Sequence, residues 1–315
     1  MKVLLIDGNN LIHRGSAAGV MSHEGQRTEI IFLGLSMVVN YLREFEPSRA
    51  CMVWDGGRDE RRLNICAEYK AQRKPPQTEV EKKEKEIFWA QADKLKNCYK
   101  ELGVIQYEFD GREADDYIYS IIKLANKLTD KGTFEFTVVS SDKDFYQLLG
   151  LFDNVEIYSP IKKELYTKES FIEEFGFDVK YYMDWKAMVG DPSDNLAGVK
   201  GIGPVGANMI VDKVFISPDG VHDISLSEKE QKYADLLLAN FDEFERMKKV
   251  IEFYELGIGE VGLGKWEELI MTQNDLIEKA MVILNRYGFE RWLENFQYFI
   301  GPFEALLRKR HNESI

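Results

Sequence analysis

Lys2-Val-Leu-Leu-Ile-Asp7-Gly-Asn-Asn10 decides how this chain is read. Val3–Ile6 is a short β-rich run that stops at a carboxylate and a turn-forming triplet. The same device recurs. Ala50–Trp54 ends at Asp55-Gly56-Gly57, and Val104–Phe109 leads through Asp110 and Gly111 to Glu113, Asp115 and Asp116. Phe136–Ser140 runs into Ser141-Asp142-Lys143-Asp144, and Val155–Tyr158 reads as one more strand. Amphipathic stretches lie between them at Ile30–Phe45, Ile87–Leu102 and Tyr117–Leu128. Alternation of this kind predicts an α/β fold, a mostly parallel sheet with helices on its faces and right-handed crossovers. Ligands of such sheets bind outside the carboxyl ends of the strands, where these acids collect.

Any one of these acids also reads as a turn former or helix N-cap, and Asp144 before Phe145–Leu149 is a good cap by itself. Their joint occurrence points further. Converging carboxylates repel one another and raise each other's pKa unless a cation neutralises them. Divalent ions with oxygen ligands do this, and Mg²⁺ or Mn²⁺ suits the set. Glu113 and Asp116 are spaced to share a helix face. Asp142 and Asp144 share a face in extended backbone, and Asp191 and Asp194 sit at a turn in Gly190-Asp-Pro-Ser-Asp-Asn195. His13, His23, His222 and His311 have no zinc-like spacing, and there is no P-loop.

The formal net charge is −13, which on its face argues against a nucleic-acid binder. Acids concentrated around bound cations weaken that objection. Against the acidic background, Gly56–Pro76 carries Arg58, Arg61, Arg62, Lys70, Arg73 and Lys74. Three cysteines without a C-x-x-C pair indicate a reducing compartment. No apolar run reaches the roughly 20 residues of a membrane span, so a cytoplasmic protein is expected.

Gly198-Val-Lys-Gly-Ile-Gly-Pro-Val-Gly-Ala207 is the second informative stretch. Gly201 and Gly203 allow a tight turn between helices, and Pro204 suits the first turn of the next one. Backbone N–H groups there can face a phosphate. The element resembles a helix-hairpin-helix, and its bland reading is an ordinary αα-turn. The expected organisation is an α/β domain over 1–168 and a helical lobe over 169–315. The lobe would hold the hairpin at about 195–210, with a polar loop at Ser217–Asp223. The clusters Arg246–Lys249 and Arg308–Arg310 read as solvated faces or duplex contacts.

Together Asp7-Gly-Asn-Asn, Trp54-Asp-Gly-Gly57, Tyr69-Lys-Ala-Gln-Arg73, Glu113-Ala-Asp-Asp116, Ser141-Asp-Lys-Asp144, Gly190-Asp-Pro-Ser-Asp-Asn195 and Gly198–Ala207 resemble, in order, the flap endonuclease family. That family includes the bacteriophage 5′-nucleases and the 5′-nuclease domain of bacterial DNA polymerase I. The resemblance covers about residues 1–210. Trp54 stands where Phe is usual and Pro192 where Ser is common. It implies a PIN-like fold and phosphodiester hydrolysis at two or more Mg²⁺ ions, with Mn²⁺ able to substitute. The implied ligands are Asp7, Asp55, Glu113, Asp115, Asp116, Asp142, Asp144, Asp191 and Asp194.

Residues of about 56–76 then form a helical arch for a single-stranded 5′ end. Arg62, Lys70 and Arg73 meet the scissile phosphate, and Tyr69 stacks on a base. Lys200, Gly201, Ile202, Gly203, Val205 and Gly206 of the hairpin bind duplex backbone, with a K⁺ ion as a further implication. The expected partners are DNA with a 5′ flap, nick or end and RNA–DNA hybrid, and the expected state is a monomer. A PIN-type single-strand ribonuclease would share the acids but lack the hairpin and the basic segment. A binding scaffold without activity would have no use for the acids. A haloacid-dehalogenase-like phosphatase would need a second Asp where Asn9 stands. The balance of exonuclease and flap-endonuclease activity, the preference between RNA and DNA, and protein partners are not written in the sequence.

Overall fold

In a computed structural model the described residues are 1–16, 19–128, 133–217, 220–222, 226–258, 266 and 271–312. Six strands form the central sheet: β1 (Lys2–Asp7), β2 (Arg49–Gly56), β3 (Ile105–Asp110), β4 (Glu135–Val139), β5 (Val155–Ser159) and β6 (Glu164–Tyr166). Their order is β3-β2-β1-β4-β5-β6. The first five are parallel, and β6 is an antiparallel edge that the sequence did not signal. The chain winds outward from β1 through β2 to β3, then restarts on the other side of β1 at β4. That reversal opens a crevice at the carboxyl ends of β1 and β4. Asp7 and Asp142 flank it.

Alternation along β1 builds two cores. Val3 and Leu5 face one with α5 (Ala114–Leu128), α6 (Tyr146–Leu151), α8 (Tyr182–Val189), α9 (Pro204–Ile210) and α11 (Phe241–Ile251). Between these lie α7 (Lys168–Phe175) and α10 (Glu228–Ala239). Leu4 and Ile6 face the other, with α2 (Glu29–Phe45) and α4 (Glu79–Glu101). This second core also holds α12 (Gln273–Arg286), α13 (Glu290–Glu294) and α14 (Phe296–Asn312). Both cores thus mix residues from before and after 168.

Some local expectations shift. α4 starts at Glu79 rather than Ile87, because a Thr78–Glu81 capping box begins it. Its first two turns are exposed and show no apolar stripe. Phe215–Ser217 pairs with Gly220–His222, so the chain is paired at the start of and within the expected Ser217–Asp223 loop, whose residues 218, 219 and 223 lie outside the described ones. Arg310 is buried and donates to the Trp266 carbonyl (2.8 Å), so that part of the C-terminal cluster is not a solvated face. Among the described residues, no helix is long and apolar enough to cross a membrane.

Candidate metal centre and arch base

The Asp7-Gly-Asn-Asn run is a stitch across three strands. Asp7 caps α1 (Gly8–Gly15) by accepting from the Asn10 N–H (2.9 Å), and its other oxygen accepts from the Ser140 hydroxyl (2.9 Å). The Asn9 side chain accepts from the Asp55 N–H (3.2 Å), and that of Asn10 from the Ser141 N–H (3.2 Å). Both asparagines therefore fix the crevice, a role the sequence reading gave to neither. Asp55 accepts from the Ala114 N–H (2.8 Å) and so ties β2 to the start of α5. After β4 the cap is Asp142, which accepts from the Asp144 N–H (2.9 Å). Asp144 is not the cap; it lies in the short 3₁₀ turn (Lys143–Phe145) that Asp142, itself in extended backbone, begins.

A second group forms below the first. Single carboxylate oxygens of Asp144, Asp191 and Asp194 lie within 4.8 Å of one another. Asp191 and Leu196 exchange backbone hydrogen bonds (2.8 Å each), and Gly190 and Gly198 close this turn with φ of 82° and 66°. A side chain on either would collide with the backbone of the other. Lys186 is buried and pairs with both Asp144 and Asp191 (2.7 Å to the latter). It is a functional candidate the sequence reading missed. Its only signal was a lysine inside an otherwise packed helix four residues before Gly190.

The basic segment begins with α3 (Glu60–Ile65) and continues in turns to α4. Lys70 and Arg73, expected to meet a phosphate, pair with the acids. The Lys70 ammonium contacts Glu113 (2.8 Å), and Arg73 contacts Asp194 (3.0 Å). Lys70 takes a left-handed φ of 55°, and its N–H donates to the Asp194 carbonyl (2.9 Å). The Asn195 side chain donates to the Glu68 carbonyl (2.7 Å), so the segment's base is clamped to the Gly190–Gly198 turn.

Five expected site residues are placed otherwise. Arg62 is 1% exposed and holds Asp116 with two hydrogen bonds (2.6 and 2.9 Å), so it cannot meet a phosphate in the crevice. Asp116 is 0% exposed and accepts from Arg62 through both oxygens. Tyr69 is buried with its hydroxyl on Glu113 (2.8 Å), and its ring is not presented for stacking. In the hairpin, Lys200, Gly201, Gly203 and Val205 form an exposed rim. Ile202 and Gly206 face inward, the latter against the Tyr233 ring.

Charge crowding follows. Burial and the Asp55 charge push the Asp7 carboxyl up to about 7. Burial also raises Asp55 and Asp194, and lifts Asp115 well above its usual range despite the nearby Arg62 charge. For Asp191, burial is outweighed by Lys186, which holds it at about 2. Glu113 is also held low, because the Lys70 and Arg62 charges outweigh its burial. Carboxylates that prefer a proton in this setting are those a divalent cation would stabilise. The donors are all oxygens, so the set fits a hard ion.

Residues 2–176 match the family described as 5′-3′ exonuclease, N-terminal resolvase-like domain. The chain belongs to this family. A 5′-3′ exonuclease of Aquifex aeolicus is 32% identical over 216 residues, 68% of this chain and 70% of that protein. One from Bacillus subtilis is 32% identical over 242 residues, 73% and 76% of the two chains. Among solved structures, the bacteriophage T5 5′-exonuclease with bound zinc superposes with a TM-score of 0.64 at 23% identity, covering 90% of this chain and 99% of that one. The T5 flap endonuclease in a complex with DNA and metal ions gives 0.63 at 20% identity, covering 99% and 100%. These likenesses show that the chain shares the fold of the two T5 structures.

Proposed function

We propose that this 5′-3′ exonuclease-family hydrolase is a structure-selective, Mg²⁺-dependent 5′-nuclease that cuts DNA, or RNA paired to DNA, at flaps, nicks and 5′ ends. The observation that carries this is the clamp. Two groups of carboxylates, one at the strand ends and one reaching onto the Gly190–Gly198 turn, are bridged by Lys70 and Arg73 from the basic segment, beside an exposed hairpin rim.

Asp7, Asp55, Glu113, Asp115, Asp142, Asp144, Asp191 and Asp194 would hold two or more Mg²⁺ ions, with Mn²⁺ as a substitute. Divalent ions, when bound, lower the pKa of water and offset charge on the phosphate and leaving oxygen. Ser140 and Asn10 aim the Asp7 oxygens, and the Ala114 N–H aims Asp55. Lys70 and Arg73 exchange their carboxylate partners for the scissile phosphate and offset its growing charge. Residues 56–76 act as the arch. The rim of Lys200, Gly201, Gly203 and Val205 offers N–H groups and a cation to the duplex backbone. A K⁺ ion on hairpin carbonyls, the division of labour between 1–168 and 169–315, and action as a monomer belong to the same proposal.

A 5′-labelled flap duplex, the single strand alone and an RNA strand, each with Mg²⁺ or EDTA, test the reading. Cutting near the junction only with Mg²⁺ is expected. Metal-independent cutting, or cutting of free RNA in preference to the flap, would overturn it.

A further inference from the structure

We propose that Val250–Leu256 is a strap that sets the arch base against the acid-bearing helix α5, and that Asp116 is its anchor, a positioning residue and not a metal ligand. The proposal rests on the metal-site reading above, from which it removes one residue. The guanidinium of Arg62 is saturated. Its Nε donates to the Val250 carbonyl (2.9 Å), and Nη1 to Asp59 (2.9 Å) and Asp116 (2.6 Å). Nη2 donates to Asp116 (2.9 Å) and the Glu252 carbonyl (3.4 Å). Five N–H groups have five partners, with Glu113 at 3.4 Å as a further neighbour, so none remains for a phosphate. Asp116 is engaged through both oxygens in turn. One oxygen accepts from Arg62, and the other from Arg62 and the Tyr254 N–H (2.7 Å).

The strap is pinned along its length. Gln147 donates to the Ile251 carbonyl (3.1 Å), the Leu256 N–H donates to Ser120 (2.8 Å), and Lys123 pairs with Glu255 (2.7 Å). The Tyr254 ring lies against the Arg61 guanidinium at 3.0 Å and is buried. One segment therefore grips α3, α5 and α6 together. The Arg62 carbonyl accepts from the Cys66 N–H (2.8 Å), and that turn leads to Tyr69 and Lys70. Ahead of the strap, α11 pairs Lys248 with Asp184 on α8, the helix that carries Lys186 and ends at the Gly190–Gly198 turn. Residues 188 positions apart in sequence thus fix where Lys70 stands relative to Glu113.

The test compares wild type with Asp115→Asn, Asp116→Asn, Arg62→Met, Arg62→Lys, Tyr254→Ala and the Arg62→Met/Asp116→Asn double variant. Mn²⁺ binding is read by electron paramagnetic resonance, folding by thermal melting, and kcat and KM on a flap duplex. Asp115→Asn should weaken Mn²⁺ binding at least about tenfold. Asp116→Asn should leave it within about threefold while kcat falls about 10–100-fold, the scale of losses when a supporting partner is removed. Tyr254→Ala should lower kcat with Mn²⁺ binding intact, and Arg62→Lys should restore part of what Arg62→Met loses. The double variant should be no slower than the worse single one, as for two members of one unit. Asp116→Asn weakening Mn²⁺ as much as Asp115→Asn would make it a ligand and overturn the proposal, as would Tyr254→Ala with wild-type kinetics. Unchanged Mn²⁺ binding in Asp115→Asn would instead overturn the metal-site reading beneath it.

Discussion

Asp7 and Asp142 answer two readings at once, since each caps a helical turn and each faces the crevice. The cap fixes the carboxylate's direction, which is what a preorganised ligand needs. Asp7 also predicts a pH effect. Its folded pKa, about 7, lies above the ordinary carboxyl value, so the folded chain holds this proton more tightly than the unfolded one. The associated stability is full below pH 4 and is lost as pH rises through 7. Asp55, Asp115 and Asp194 act in the same direction, whereas Asp191 and Glu113, held low, act at acid pH. Melting in EDTA should therefore occur several degrees lower at pH 8 than at pH 5. Saturating Mg²⁺ should flatten the difference, because the cation replaces the proton. An equal pH slope with and without Mg²⁺ would count against metal binding by these acids.

Lys186 makes a complementary case. Lys186→Met leaves Asp144 and Asp191 without their buried counter-charge, a loss of about 1–3 kcal/mol for partly exposed partners. Its melting temperature should fall in EDTA and recover with Ca²⁺, read by circular dichroism. The acids were legible in the sequence because each follows a strand. Lys186 and Arg62 were not, because their roles come from partners distant in sequence that no local spacing encodes.

At the level of elements, the Gly190–Gly198 turn holds Asp191 and Asp194 and receives the arch base. Gly198→Ala forces a left-handed residue with a Cβ into the Gly190 backbone. It should destabilise the chain by about 2 kcal/mol or more and lower cleavage further than the melting shift explains. Normal activity in a stably folded Gly198→Ala chain would show that the turn does not position the acids. Strand cores and the Pro204 helix start were readable from pattern. The first two turns of α4 were not, since solvent surrounds them and only the Thr78–Glu81 cap marks where they begin. Tyr69 and Ile202 misled for the opposite reason: residue type suggested contact with nucleic acid, and packing placed both inside.

For the molecule as a whole, the sheet order follows from strands alternating with helices. The C-terminal third carried no motif, and its place was invisible in the sequence. It covers the second core with Ile283, Leu284, Phe299 and Phe303. A chain ending at residue 270 should expose that face, bind a hydrophobic dye and precipitate. A soluble, cooperatively melting truncation would show that the second core stands without α12–α14.

The strap has a consequence in time. During synthesis the carboxylates of residues 7 to 194 leave the ribosome before Val250–Leu256 does. A nascent chain at that stage holds its acids without the segment that closes Arg62 onto Asp116. The potential to cut a nucleic acid then arises late, when the lock arrives. Stalled chains released before and after residue 256 would differ sharply in cleavage, although both contain every acid of the crevice.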